Sequence, residues 1–522
     1  MGYAQVLRRA ILHRLFNICF NLFRLRLDPF AQALLTWTCR LGRSDPYLHS
    51  VAFRVAQRLP RVTEPGAARD RLLAALAPVP GLADAVLSSF ALQEGDLACH
   101  LEAADRGVAA NPESAVIGLY YAIACSTRGD RANERRALRS IKPLRDLTPV
   151  HRRIWINSLW RAGLVSDAAH WAGLGPDAAL TVVAGRDNRR ALTPLALDVA
   201  AGNLDRAIPA ARLLAKQQPP VANVVHIWSA MLATAGPDHD LAQIRQAYDL
   251  ALAAAPYDSL QADLARLRDR LLALRDRVAR TTKPAVALIC PIHRSENLPT
   301  ALSQLARQRD VDGTAVLAIN NTTGIDADAV RATWRGAIPL QVIDIGAQPN
   351  VGAALNAAIA ATDAPFLIRM DSDCHYGPRY AADMIDHAVD QGAGVVLKRA
   401  KFRYWQQSGL TDLEEPGKAF CWAGPQDSGG GSALGFHRAV WQAVPFCDRT
   451  RISEDVAFIR QTVRGGHGVY MVDPFNHLSI RDADTDAHTY NVGDLFTQVG
   501  DVRHLIAAGE LDERHVIVSG PG

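Results

Sequence analysis

The chain has 522 residues, 49% hydrophobic and 21% charged, with a formal net charge of +4. That length exceeds what one hydrophobic core organises, so two or three domains are expected. The small net charge, with no clustering of basic and aromatic residues, excludes nucleic-acid binding as the organising function. The eight cysteines are scattered without a Cys-x-x-Cys pair, which offers neither a zinc site nor a disulfide framework.

Residues 3–43 alternate Leu, Phe and Ile with Arg, and Leu7, Ile11, Leu15, Ile18, Leu22 and Leu25 fall on one side of a helix. A basic amphipathic segment of this kind can lie on an anionic membrane surface. It can equally be the first helix pair of an α-helical domain, its stripe buried as core. Arginines interrupt the run and no small-residue cleavage site follows, which argues against a secretory signal. No window offers about 18 uninterrupted apolar residues, so no transmembrane helix is expected. The expected location is cytoplasmic, with the inner membrane face as a candidate peripheral contact. Pro60, Pro65, Pro78 and Pro80 make 60–80 a looser connection, closing an N-terminal helical segment over 1–80.

From 82 to 258 the chain repeats. Gly95, Gly129, Gly163, Gly202 and Gly236 follow apolar helical stretches at spacings of 34, 34, 39 and 34 residues. Pro112 and Pro219 fall 17 residues after their glycines, where a second helix should stop. This helix–turn–helix period resembles the tetratricopeptide repeat, and predicts an all-α solenoid whose concave face is a candidate protein-binding surface. A plain helical spacer is the alternative. Leu260, Leu264, Leu267, Leu271, Leu274 and Val278 then form a heptad stripe, read as a linker helix over 259–283 that caps the solenoid.

After 284 strands and helices alternate. Strands are predicted at 285–290, 314–319 and 340–345 and on the apolar run 366–368, with helices at 296–307, 326–334 and 351–361. Short links between them imply a mostly parallel sheet covered on both faces. The fourth strand runs into Asp371 and Asp373. Open α/β sheets place their chemistry just beyond such strand ends, and two carboxylates one residue apart can share a hard divalent cation.

Here a resemblance becomes specific. The run from Cys290-Pro-Ile-His293 to Leu302 resembles the opening of family 2 glycosyltransferases. Pro349-Asn-Val-Gly352 with Asn356 resembles that family's helix start, and Asp371-Ser-Asp373 its Asp-x-Asp motif. Gly377-Pro-Arg-Tyr380 is similar to the helix entry that follows, and Ile452-Ser-Glu-Asp455 to the segment carrying the catalytic base. The similarity spans about 284–480, in a domain read as 284–500 with a tail over 501–522. It implies an α/β fold of the GT-A, Rossmann-like type and transfer of a sugar, with inversion, from a nucleotide-diphosphate donor to a hydroxyl of a glycan or lipid-linked acceptor. Pro291, His293, Asn321, Gly352, Asn356 and Asp371 would contact the donor. Asp371, Asp373 and the late His477 would hold Mn2+ or Mg2+. Asp455 would be the base, with Glu454 the second choice; capping of a helix by Ser453 and these acids is the competing explanation. The glycine-rich 428–432 would let backbone approach the sugar or form a hinge. Trp405 and Trp422 would stack on a sugar ring or be buried.

Two departures bear on activity. Asn320-Asn321 stands where the family has an acidic pair, and Leu355 where it often has Arg. They motivate the rival reading, a catalytically inactive transferase-like domain that binds nucleotide or sugar as a scaffold. A nucleotidyltransferase is a further rival, but His293-Arg-Ser-Glu-Asn297 lacks the glycines of a triphosphate loop.

Overall fold

The computed structural model describes residues 28–57, 67–142, 146–173, 202–217, 222–235, 239–253, 258–279, 281–481 (except 407, 426, 428 and 452), 503–508 and 513–519, with scattered positions in 11–19 and 195–199. It divides into two compact units, Met1–Gly175 and Pro176–Gly522. The division falls within the 82–258 stretch.

Among its described residues the first unit carries helices and no strand: α1 (Asp28–Gly42), α2 (Pro46–Gln57), α3 (Ala67–Leu76), α4 (Leu82–Glu94), α5 (Leu97–Ala110), α6 (Ala115–Arg128), α7 (Arg131–Ser140), α8 (Pro149–Arg161) and α9 (Val165–Gly173). The glycine punctuation works as its spacing suggests. Gly95, Gly129 and Gly163 have φ of 77°, 85° and 74°, the left-handed turn that ends a helix at little cost only with glycine. The Asp96 and Asp130 side chains then accept from the amides of Cys99 and Asn133 and start the next helix. Gly202, in the second unit, turns the same way at 77°; Gly236 lies outside the described residues, as do Pro60 and Pro65. Helix α3 occupies part of the stretch expected to be loose.

Three buried histidines pin this bundle through hydroxyls. His49 Nδ1 meets Ser114 Oγ at 3.1 Å, His100 Nδ1 meets Ser88 Oγ at 2.8 Å, and His151 Nδ1 meets Ser50 Oγ at 2.7 Å. Of the predicted N-terminal stripe, Leu7, Leu22 and Leu25 lie outside the described residues. Ile11 and Ile18 are exposed, and the buried positions are Phe16 and Cys19, which the stripe did not include. The core reading of that stripe is thus corrected at Ile11 and Ile18. None of the described helices is long and apolar enough to cross a membrane.

The second unit begins with α10 (Leu204–Gln217), α11 (Ala222–Thr234), α12 (Leu241–Ala253) and α13 (Asp258–Val278), and continues as α/β. Its elements are β1 (Val286–Ile292), α14 (Leu298–Ala306), β2 (Gly313–Ile319), α15 (Ala327–Thr333), β3 (Leu340–Asp344), α16 (Val351–Ala360), β4 (Phe366–Met370), β5 (Cys374–Tyr376), α17 (Tyr380–Gln391), β6 (Val395–Leu397), β7 (Lys401–Trp405), β8 (Leu410–Glu414), β9 (Cys421–Trp422), β10 (Ala433–His437), α18 (Arg438–Ala443), α19 (Glu454–Arg464), β11 (Val469–Met471), β12 (His477–Arg481) and β13 (Arg503–Ala508).

Strands order as β3-β2-β1-β4-β10-β6-β11-β9 in the main sheet. β3, β2, β1 and β4 run parallel, as expected from their helical crossovers. β10 then enters antiparallel between β4 and β6, so the sheet is mixed and not mostly parallel throughout. A second sheet, β13-β8-β7-β12-β5, was not expected. The stretch read as a C-terminal tail supplies its edge strand β13.

Helix α13 packs on the α/β unit. Leu264, Leu271, Leu274 and Val278 pack with Phe402, Leu413, Phe475 and Leu478 of the second sheet's side. Buried Arg275 forks onto Asp383 of α17 at 2.8 and 2.9 Å and donates to the Val518 carbonyl at 2.9 Å. The helix is part of the α/β unit's own core.

Candidate active site

The carboxyl ends of β1 to β4 open into a cavity of about 360 Å3, lined by residues 291–294, 320–321, 348–351, 354, 369, 371–373 and 451. It sits where β2 and β4 leave β1 on opposite sides, the switch point at which open α/β sheets bind ligands. Backbone bonds shape its floor: the Asn320 amide donates to the Ile292 carbonyl at 2.8 Å and the Asn321 amide to Gly346 at 3.1 Å. Asn321 takes a left-handed φ of 46°, a conformation asparagine tolerates better than most residues. Asn320 accepts from the Gln348 amide at 2.9 Å, tying the second strand end to the third.

One guanidinium organises the chemistry. Arg369 interrupts the apolar strand β4 and is buried. Its Nε and Nη2 donate to the two oxygens of Asp371 at 2.7 and 3.2 Å, and its Nη1 donates to Glu454 Oε1 at 3.0 Å. The Tyr376 hydroxyl accepts from the Asp371 amide at 2.7 Å and donates to the Ser432 carbonyl at 2.6 Å. The end of β4 is thereby fixed to both α19 and the glycine-rich loop.

Glu454 and Asp455 open α19. Burial and the adjacent Asp455 push the Glu454 carboxyl up to about 7, against the pull of Arg369. Ser453 stands at the N-cap position with φ of 69° and makes no side-chain capping bond, while both acids occupy the first turn of α19, where the helix dipole favours them. Asp455 is half-buried and leans on the glycine loop. A Cβ added at Gly431 would lie 2.7 Å from Asp455 Oδ2, and one at Gly430 2.8 Å from a Leu397 methyl. The glycines make room for close approach here; Ser428 lies outside the described residues.

Among the described residues, ligand atoms of Asp371, Asp373 and Cys374 lie within 4.8 Å of one another. Burial pushes the Cys374 thiol well up, so it stays protonated, and a hard cation would take the two carboxylates. Asp373 is exposed to the cavity, whereas Asp371 shares its oxygens with Arg369. The set fits a divalent cation held chiefly by Asp373.

Of the expected site residues, Pro291, His293, Asn321, Asp371 and Asp373 line the cavity. Gly352 does not: a Cβ there would meet the Cys447 carbonyl at 2.1 Å, so this glycine serves close packing. Asn356 also faces elsewhere, donating to the Phe446 carbonyl at 2.8 Å and accepting from Trp441 Nε1 at 2.8 Å and the Phe446 amide at 3.1 Å. His477 is buried beside Tyr376 and Tyr380, its Nε2 3.0 Å from Ser432 Oγ. It stands outside the carboxylate group, and burial with nearby Lys401 and Lys398 holds it neutral, well below the usual range. Trp405 is buried and donates to Asp412 at 3.0 Å. Trp422 is half-exposed against Tyr470 and Gly468. Sequence reasoning missed Arg369, Arg294, Arg451 and Tyr376. Only Arg369 left a signal, a charged residue inside a strand otherwise apolar on both faces.

No protein-family model matches the sequence, and no curated protein matches it. Among solved structures, similarity is found to the mannosyltransferase PcManGT from Pyrobaculum calidifontis in complex with GDP-Man and Mn2+, at 14% identity and TM-score 0.30 over 44% of this chain and 68% of that one. S. aureus TarS in complex with UDP-GlcNAc overlaps at 14% identity and TM-score 0.31, over 39% of this chain and 60% of that one. TarS with UDP overlaps at 14% identity and TM-score 0.31, over 44% and 68%. Overlaps of this size assign neither a fold family nor an activity. What the pocket can do follows from its own side chains.

Proposed function

We propose that this pocket transfers a sugar, with inversion, from a nucleotide-diphosphate donor to a hydroxyl acceptor, in the manner of a family 2, GT-A-type glycosyltransferase. One observation carries the reading. Asp371, which lines the cavity beside Asp373, and Glu454, the neighbour of Asp455, come from distant parts of the chain and share the guanidinium of Arg369 at the switch point of an α/β sheet.

Pro291, His293 and Asn321 offer a surface for base and ribose. Arg294 and Arg451 line the same cavity and suit the diphosphate's negative charge. Asp373, with Asp371, would hold Mn2+ or Mg2+, which when bound supplies Lewis-acid neutralisation of the leaving diphosphate. Asp455 takes the proton of the acceptor hydroxyl as that oxygen attacks the anomeric carbon. Glu454, buried on Arg369, orients the guanidinium and is the poorer base. A glycan or lipid-linked acceptor fits the resemblance in sequence, and the helical unit is a candidate site for a protein partner.

A second reading has its own observation. Arg369 engages both oxygens of Asp371, and Gln348 engages the carbonyl of Asn320, as a nucleotide-binding scaffold without turnover would tolerate. Donor hydrolysis and transfer measured with Mn2+ separate the two. In the transferase, Asp455→Asn lowers turnover by about 10²–10⁴-fold at unchanged donor affinity, and Asp373→Asn weakens donor binding only when the metal is present. Nucleotide binding without turnover of any donor would leave the scaffold.

A further inference from the structure

Among the described positions of the N-terminal stripe, Leu15 is half-buried and two are exposed. Ile11 and Ile18 are 51% and 48% exposed, while Phe16 and Cys19 are buried at 1% and 0%. The same division recurs on α1. Trp37 and Leu41, one helical turn apart, are 51% and 38% exposed, whereas Leu35, Thr38 and Cys39 are buried. The Cys19 thiol meets the Thr38 side chain, one point of contact between the two helical segments. Ile18 and Trp37 each stand one residue from that contact. Four large apolar side chains thus face outward from neighbouring segments of the first unit, where the helical rhythm alone would have made a core.

The exposed charges described on these two segments are arginines. Arg14, Arg40 and Arg43 are exposed. The sequence before Asp28 contains Arg8, Arg9, Arg14, Arg24 and Arg26 and neither Asp nor Glu. A second copy of this face would oppose arginine to arginine, which like-charge repulsion disfavours. A surface of lipid phosphates offers the complementary charge, and its acyl boundary takes up Ile and Trp side chains.

We propose that this face, formed by Ile11, Ile18, Trp37 and Leu41 with Arg14 and Arg40, docks the chain peripherally on an anionic phospholipid bilayer. It owes nothing to the pocket, and its test does not read activity. The full chain is sedimented with vesicles of phosphatidylcholine alone and of phosphatidylcholine mixed with phosphatidylglycerol. Binding is expected to the mixed vesicles, to fall by roughly tenfold or more in Arg14→Glu/Arg40→Glu, and to weaken between about 0.15 M and 1 M salt. Ile18→Asp/Trp37→Ser is expected to lose binding while melting at the parent's temperature, since both side chains are exposed. Quenching by brominated lipid should be smaller in Trp37→Phe than in the parent. Three outcomes overturn the proposal: equal binding to both vesicle types, no vesicle binding by a folded parent chain, or sedimentation as a dimer that Trp37→Ser dissociates without any effect of lipid.

Discussion

Both oxygens of Asp371 and one of Glu454 take hydrogen bonds from the same guanidinium, with side-chain exposures of 7% for Arg369, 25% for Asp371 and 8% for Glu454. A buried cation between two acids is costly to remove, because the acids are left to repel one another out of water. Arg369→Met is therefore expected to destabilise the second unit by about 3–5 kcal/mol on the Glu454 side, with little added by the more exposed Asp371. Arg369→Lys should recover only part of this, since an ammonium cannot present the planar fork that meets Asp371 with two bonds. Urea unfolding of the three proteins checks the order, and a Met variant as stable as the parent would contradict it. The misplaced residues belong to this scale too. Gly352 and Asn356 sit within a motif that reads as donor-binding, yet their partners Cys447 and Phe446 lie some ninety residues on. Nothing local in the sequence distinguishes a side chain that faces a ligand from one that faces a distant loop.

In the helices of the first unit the buried histidines set how stability depends on pH. Burial lowers His100 and His151 to about 4, and each leaves Nε2 without a partner. Unfolding releases them to the ordinary value near 6.5, so between these limits the unfolded chain binds more protons than the folded one. Stability should then be full above about 6.5 and fall as pH drops towards 4, by on the order of 3 kcal/mol per histidine. Circular-dichroism melts between pH 7 and 5 should show a falling midpoint. A His100→Asn/His151→Asn variant should be weaker at pH 7 yet show a smaller drop. An unchanged slope in that variant would move the acid sensitivity elsewhere, to His49, which burial also lowers, or to His477. Element by element, what the sequence made legible depended on how local the signal was. β1, β2, β3 and β4 are apolar runs bounded by turns, and the Gly-Asp pairs carry both a helix stop and a helix start. The second sheet stayed hidden because its strands are short and carry buried charge. Arg403 of β7 pairs with Asp412 of β8 at 2.9 Å, so each strand alone reads as polar loop, and only their pairing makes them core.

For the whole molecule the informative position is the boundary placed at 284. Thr281-Thr-Lys-Pro284 reads as a linker because composition changes there, but α13, which precedes it, covers Phe402, Leu413, Phe475 and Leu478 and answers buried Asp383 with Arg275. Cutting the chain at the apparent linker would uncover that apolar cluster and strand Asp383, which is 0% exposed, with Arg379, 20% exposed, at 3.7 Å as a remaining cation. Asn476 would keep its own 2.7 Å bond to Asp383, but an amide does not neutralise a carboxylate. A fragment comprising residues 282–522 should consequently aggregate or melt well below one comprising 254–522, although both contain every residue of the proposed active site. In the full chain Arg275→Met isolates the electrostatic part and should cost about 3–5 kcal/mol, whereas Leu271→Ala isolates the apolar part at about 2–5 kcal/mol. Equal solubility and equal melting of the two fragments would mean that the α/β core closes without α13. The motif-bearing stretch would then be a domain by itself, as its sequence pattern suggests; the buried Arg275–Asp383 pair argues that it is not.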